Sequence, residues 1–230
     1  MLLYYISDRT QFSGTESFRR DRLLEKIAEA ARCGVDYIQL REKDLPAREL
    51  EALAREAVQV VEENALRKAG KREAGTGLLI NSRTDVALAA GASGVHLRSD
   101  DIAPSAVRRI WNPGGARSAS TSLSAREVPP APATVVVSCH TAREVGRAAE
   151  EGADFAAVAP VFEKRDSPLK SPAGLETLRQ ACRHKIAVFA LGGVSLANVA
   201  LCRDAGAAGI AAIRLFQDHD IGEVVQRLRG

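Results

Sequence analysis

Short apolar runs alternate with longer stretches of helical period along this chain. The runs fall at 2–7, 37–40, 78–81, 94–97, 134–138, 155–160, 186–191 and 209–213. Most are near-continuously apolar rather than alternating, which is the pattern of strands covered on both faces. The intervening segments 18–33, 46–68, 84–90, 105–110, 141–151, 174–182, 196–204 and 221–228 read as helices. In 46–68, for example, Leu50, Leu53, Ala54, Ala57, Val58 and Val61 recur at spacings of three and four and form one apolar stripe.

The joints between helices and strands repeat as well. Cys33-Gly-Val-Asp-Tyr, Ala90-Gly-Ala-Ser-Gly, Glu151-Gly-Ala-Asp-Phe and Ala205-Gly-Ala-Ala-Gly each place a glycine just after a helix and shortly before a strand. Glycine there supplies a left-handed C-cap. Eight strand–helix pairs built on one recurrent joint predict a single α/β domain over 1–230, a (β/α)8 TIM barrel. A doubly wound open sheet is the alternative, and it fits less well because no GxGxxG follows the first strand. Residues 111–133, rich in Pro, Ser and Ala, break the rhythm and read as a surface insertion on the face away from the barrel mouth. A shorter polar connector spans 70–77.

Composition narrows the class. The chain is 46% apolar and only 4% aromatic, so Ala and Val dominate its core. A net charge of +3, with acidic and basic residues interleaved, points to no nucleic-acid or membrane partner. No apolar run approaches the ~20 residues of a membrane span. The first residues lack a basic leader and read as a strand, so a cytoplasmic location is expected. Cys33, Cys139, Cys182 and Cys202 show no metal-ligand spacing and read as small buried residues in a reducing compartment. The sequence leaves room for a homo-oligomer and specifies none.

In a barrel, chemistry gathers at the C-terminal ends of the strands. The polar residues there are Gln39, Arg41, Glu42 and Lys43; Asn81, Ser82 and Arg83; His96, Arg98, Asp100 and Asp101; Ser138, His140 and Thr141; Glu163, Lys164, Arg165 and Asp166; Gly192 and Gly193; and Arg214. Any one of these arginines is ordinarily a surface side chain. Their convergence around one mouth suits a small phosphorylated substrate. Gly192-Gly193 and Arg214 stand where many barrels hold a phosphate. His96 has no second ligand-type residue at metal spacing and reads as a buried, site-shaping residue. Cys139 should face away from the mouth, because neighbours in a strand point to opposite faces. Arg83 and Asp85 read as the opening of the next helix.

Taken together, Gln39-Leu-Arg-Glu-Lys43, Asn81-x-Arg-x-Asp85, Gly94-Val-His-Leu97, Val137-Ser-x-His-Thr141, Pro160-Val-Phe162, Ala190-x-Gly-Gly193 and Gly206-Ala-x-Gly-Ile210 resemble the superfamily of thiamine phosphate synthases and TenI-type thiazole tautomerases. The resemblance implies joining of a pyrimidine methyl diphosphate to a thiazole phosphate, with release of diphosphate and a need for Mg²⁺. It implies Arg41, Lys43 and Asn81 at the diphosphate, and Asp101 as a magnesium ligand. It further implies Gln39 on the pyrimidine edge, Ser138 at the pyrimidine or diphosphate, and Gly192-Gly193 at the thiazole phosphate. Lys164 and Arg165, read from the residues themselves, are candidate compensating cations near the diphosphate, and Arg214 is a candidate contact to the thiazole phosphate. The chain departs from the family pattern at Ser82, where a second metal carboxylate is usual, and at Arg98-Ser99, where Gly-Gln is usual. It departs again in the loop after strand 6, which lacks the usual threonines, and at Arg214, where Ser is common. These departures keep two alternatives open. One is a tautomerase with His140 as acid/base, and the other is a barrel that binds a thiazole phosphate without catalysis.

Overall fold

The computed structural model describes residues 1–65, 75–112, 132–163 and 172–230. Its strands are β1 (Leu2–Ile6), β2 (Tyr37–Leu40), β3 (Gly77–Asn81), β4 (Gly94–Leu97), β5 (Thr134–Cys139), β6 (Phe155–Val158), β7 (Ala187–Leu191) and β8 (Gly209–Ala212). They pair in parallel, in sequence order, and β8 returns to β1, so the sheet closes into a barrel. The helices that follow them are α1 (Glu16–Arg32), α2 (Ala47–Asn64), α3 (Thr84–Ala90), α4 (Pro104–Trp111), α5 (Ala142–Glu150), α6 (Gly174–Ala181), α7 (Val199–Asp204), and the pair α8 (Arg214–Gln217) and α9 (Ile221–Arg229). The (β/α)8 barrel expected from the sequence is the fold.

Strand alternation divides the apolar residues into two cores. Leu3 and Tyr5 point outward and join the layer between barrel and helices, with Cys139 and the α2 stripe Leu50, Leu53, Ala54, Ala57 and Val61. Tyr4, Ile6, Leu79, Val136, Ala157, Phe189 and Ala211 fill the barrel interior. Residues of both sets being apolar is why the strands read as continuous runs. The few aromatics are concentrated inside: Tyr4, Tyr37, Phe155 and Phe189 lie with ring centroids 5.3–6.2 Å apart. Gly209 makes room for them, since a Cβ there would sit 2.5 Å from the Phe189 ring.

The repeated joint does two jobs. Its glycines, Gly34, Gly91, Gly152 and Gly206, all take positive φ and end the helices as expected. Two residues further on, a side chain caps the start of the preceding strand. Asp36 accepts from the Leu3 N–H at 2.7 Å, Ser93 from Leu78 at 3.2 Å and Asp154 from Val135 at 2.7 Å. The fourth copy carries Ala208 at this position.

Boundaries shift at several places. α2 stops at Asn64 rather than at residue 68, because Ala65 turns to an extended conformation. β3 starts at Gly77, inside the expected connector, and Trp111, expected in the insertion, ends α4 and is buried. α7 starts at Val199 rather than at residue 196. The bulk of the insertion, 113–131, lies outside the described residues.

Candidate active site

The polar residues at the strand ends form hydrogen-bonded lines above the apolar floor. Gln39, at the end of β2, donates from Nε2 to Asn81 Oδ1 at 3.0 Å. Asn81 donates from Nδ2 to Ser82 Oγ at 3.3 Å. Gln39 and Asn81 each donate to the next residue, and the hydrogen-bonded line ends at the Ser82 hydroxyl. The Ser82 hydroxyl also favours the ionised form of the Asp101 carboxyl. Gln39 keeps its amide oxygen as an acceptor.

Ser82 holds this line through an uncommon backbone. Its φ is +59°, in the left-handed region that few side chains other than Asn and Asp favour. Its N–H donates to the His96 carbonyl at 2.9 Å. The turn thereby brings the end of β3 against β4. Arg83 and Asp85 pair with each other at the start of α3, apart from the line, as expected.

Asp101 is the convergence point. Its Oδ2 accepts the Arg98 N–H at 2.7 Å, and its Oδ1 lies 3.1 Å from the Arg98 guanidinium. Partial burial alone would raise its pKa. The bonds from the Arg98 N–H, the Ser82 hydroxyl and the Arg98 guanidinium reverse this and hold the carboxyl below its ordinary value. Arg98, Asp101 and Ser138 border one cleft of about 160 Å³.

A second line runs inside the barrel. The Tyr4 hydroxyl lies 2.9 Å from His96 Nδ1, and His96 Nε2 lies 2.8 Å from Ser138 Oγ. Burial, and then the positive charge of Arg41, lower the His96 pKa to about 3 against a weaker opposing pull from Asp101. His96 is therefore neutral at physiological pH. Ser138 faces the mouth side of His96, while its neighbour Cys139 is fully buried in the outer layer with its thiol pushed up to about 12 by burial.

Arg41 and Lys43 extend β2 toward the mouth, Arg41 half-buried and Lys43 exposed. A buried network that the sequence reading did not anticipate fixes their backbone. The Arg41 N–H donates to Ser7 Oγ at 3.0 Å, and Ser7 donates to Glu42 Oε1 at 2.5 Å. Glu42 Oε2 accepts from the Arg9 backbone N–H at 3.0 Å and from its guanidinium at 3.2 Å. Arg9 also grips both oxygens of Asp44 and one of Glu16. Gln217 of α8 ties in the same loop, accepting from Tyr5 and the Asp8 N–H and donating to the Asp8 carbonyl.

His140 is exposed at the end of β5. Its Nδ1 donates to the Ala159 carbonyl at 2.6 Å, which leaves Nε2 as the basic nitrogen. After β7, Gly192 and Gly193 take φ of +92° and +68°. A Cβ on Gly193 would lie 2.7 Å from the Glu163 carbonyl, so only glycine fits. Arg214 is exposed at the start of α8. Lys164 and Arg165 lie outside the described residues.

Among the described residues, no three of His, Cys, Asp or Glu converge on a point. That set does not fit a closed, all-protein metal site. It fits Mg²⁺ held by one carboxylate, with its remaining positions taken by substrate oxygens and water.

The family model described as thiamine monophosphate synthase matches residues 3–216. The chain belongs to that family. A putative thiamine-phosphate synthase of Geobacter sulfurreducens is 39% identical over 216 residues, covering 92% of this chain and 84% of the relative. Putative thiamine-phosphate synthase 2 of Aquifex aeolicus is 36% identical, covering 93% and 96%. Among solved structures, a thiamine phosphate pyrophosphorylase of Pyrococcus furiosus superposes with a TM-score of 0.71 at 26% identity, covering 99% of this chain and 93% of that one. The family match thus spans all eight strands of the barrel.

Proposed function

We propose that this protein joins an aminopyrimidine methyl diphosphate to a thiazole phosphate, giving thiamine phosphate and diphosphate. The observation that carries this reading is the hydrogen-bonded line from Gln39 through Asn81 to Ser82, with Asp101 held by Arg98 and with Arg41 and Ser138 at neighbouring strand ends. In a chain of this family, a neutral hydrogen-bonding edge beside a carboxylate and a cation supports this reading.

Gln39 accepts from the exocyclic amine of the pyrimidine through its remaining amide oxygen. Arg41 and Lys43 meet the diphosphate, with Lys164 and Arg165 as further cations. The bond between the pyrimidine methylene carbon and the diphosphate oxygen breaks, and its electron pair leaves with diphosphate. The thiazole nitrogen then forms the new carbon–nitrogen bond with its lone pair. Cations fixed around the leaving group favour this step because they meet charge as it develops. Asp101 would hold Mg²⁺, which neutralises diphosphate charge when bound. Gly192-Gly193 and Arg214 hold the phosphate of the thiazole, and His140 offers Nε2 to the same mouth.

The test is direct. Purified protein with both substrates and Mg²⁺ should release diphosphate and thiamine phosphate in equal amounts. Folded protein that forms neither overturns the proposal.

A further inference from the structure

We propose that Tyr4 and His96 set the direction of the Ser138 hydroxyl, making it a dedicated hydrogen-bond donor toward the barrel mouth. The argument is one of proton counting. Tyr4 is fully buried, and its hydroxyl has one hydrogen-bond partner among the described residues, His96 Nδ1 at 2.9 Å. A buried phenol proton without an acceptor is costly, so Tyr4 donates. Nδ1 is then the unprotonated nitrogen, and Nε2 carries the ring proton. At 2.8 Å from Ser138 Oγ, Nε2–H donates to the serine oxygen. The serine proton is thereby turned away from His96.

The line Tyr4→His96→Ser138 ends on a free proton. Ser138 therefore selects an acceptor, a phosphate oxygen or an unprotonated ring nitrogen, and disfavours an amino group at that position. Tyr4 and His96 are positioning residues that touch no substrate. The substrate consequence rests on the synthase reading; the tautomer does not.

¹⁵N NMR of the full chain separates the two. The His96 ring should show a protonated Nε2 and an unprotonated Nδ1 near neutral pH. Ser138→Ala should leave that signature unchanged, while Tyr4→Phe should convert it to a mixture or to the Nδ1–H form. A protonated Nδ1 in the unsubstituted protein overturns the proposal, whatever the activity. In turnover, Tyr4→Phe should lower kcat/KM about tenfold, as expected for one weakened hydrogen bond. It should add nothing in the Ser138→Ala background. Independent, multiplying effects of the two substitutions would also overturn it. Loss of activity in all assays, with the tautomer intact, would count against the synthase reading alone.

Discussion

Arg98 holds Asp101 from two directions: its backbone N–H reaches Oδ2 at 2.7 Å and its guanidinium reaches Oδ1 at 3.1 Å. The proposed metal ligand thus already carries a positive neighbour, and a cation approaching Asp101 must displace it or share it. The pair is largely on the solvent side of Arg98, whose side chain is 59% exposed, so the contact is readily opened.

Replacing Arg98 by Gln should therefore free one carboxylate oxygen while keeping the backbone bond. The Mg²⁺ concentration for half-maximal turnover should fall several-fold, with unfolding stability essentially unchanged. A Mg²⁺ titration of turnover beside a urea melt reads both. An unchanged or higher half-saturation would show that Arg98 does not compete with the metal.

Ser82→Asp adds the carboxylate that the site lacks. The left-handed backbone at φ +59° tolerates Asp at least as well as Ser, so the fold should not suffer. A second acidic oxygen beside Asp101 raises the charge count on which Mg²⁺ affinity depends, and half-saturation should fall about tenfold. Calorimetry with Mg²⁺ alone gives a second reading. Identical Mg²⁺ dependence in variant and parent would place the metal away from this position.

His96 makes the fold sensitive to acid. Its folded-state pKa of about 3 lies far below the ordinary imidazole value, because burial, and then Arg41, disfavour the cation, with Asp101 opposing. Tyr4 is the other titratable group against the ring, and it stays neutral. The unfolded chain then binds a proton that the folded chain refuses. Stability is full above the unfolded pKa of about 6.5 and is lost as pH falls toward the folded value. Between about pH 6 and 4 the slope should be ~1.4 kcal/mol per pH unit steeper than in His96→Asn. Urea melts at a series of pH values measure it. Equal slopes would mean that His96 does not resist protonation.

Much of this was legible in the sequence, for physical reasons. Parallel strands covered on both faces must be apolar throughout, and the left-handed helix ends need glycine, so Gly34, Gly91, Gly152 and Gly206 marked the repeat. Gln39, Asn81, His96 and Ser138 stand out as polar residues in or ending otherwise apolar strands, and all four lie in the two hydrogen-bonded lines. Tyr4 gave no such signal, because a tyrosine in an apolar run looks like core. Arg9, Glu16, Asp44 and Gln217 were equally silent. They are ordinary charged and polar residues near element ends, and only folding reveals that Arg9 meets Asp44 and that Gln217 meets Asp8 across long stretches of chain.

Gly193→Ala tests the turn after β7. The added Cβ would meet the Glu163 carbonyl at 2.7 Å and would force a methyl-bearing residue to hold φ +68°. A loss of roughly 1–3 kcal/mol in stability is expected from strain of this kind. KM for the thiazole phosphate should rise at least tenfold while KM for the diphosphate substrate changes little. Equal increases in both would separate the turn from the thiazole phosphate.

Glu42 is the last case, and it distinguishes support from chemistry. It is 4% exposed and joins Ser7, the Arg9 backbone and the Arg9 guanidinium beneath Arg41. Glu42→Ala would leave the guanidinium of Arg9 partly unpaired in a buried setting, although Asp44 and Glu16 still hold it. Breaking one arm of such a network should cost ~2–4 kcal/mol, toward the lower end of what removing one partner of a buried ion pair costs. Glu42→Gln can keep the Ser7 contact through its amide oxygen and should recover about half of that loss. Because the Arg41 N–H hangs from Ser7, both variants should also raise KM for the diphosphate substrate in proportion to their destabilisation. Urea melts and steady-state kinetics on the same preparations supply the two axes. A stability loss with unchanged KM would mean that the network holds the loop but not the cation.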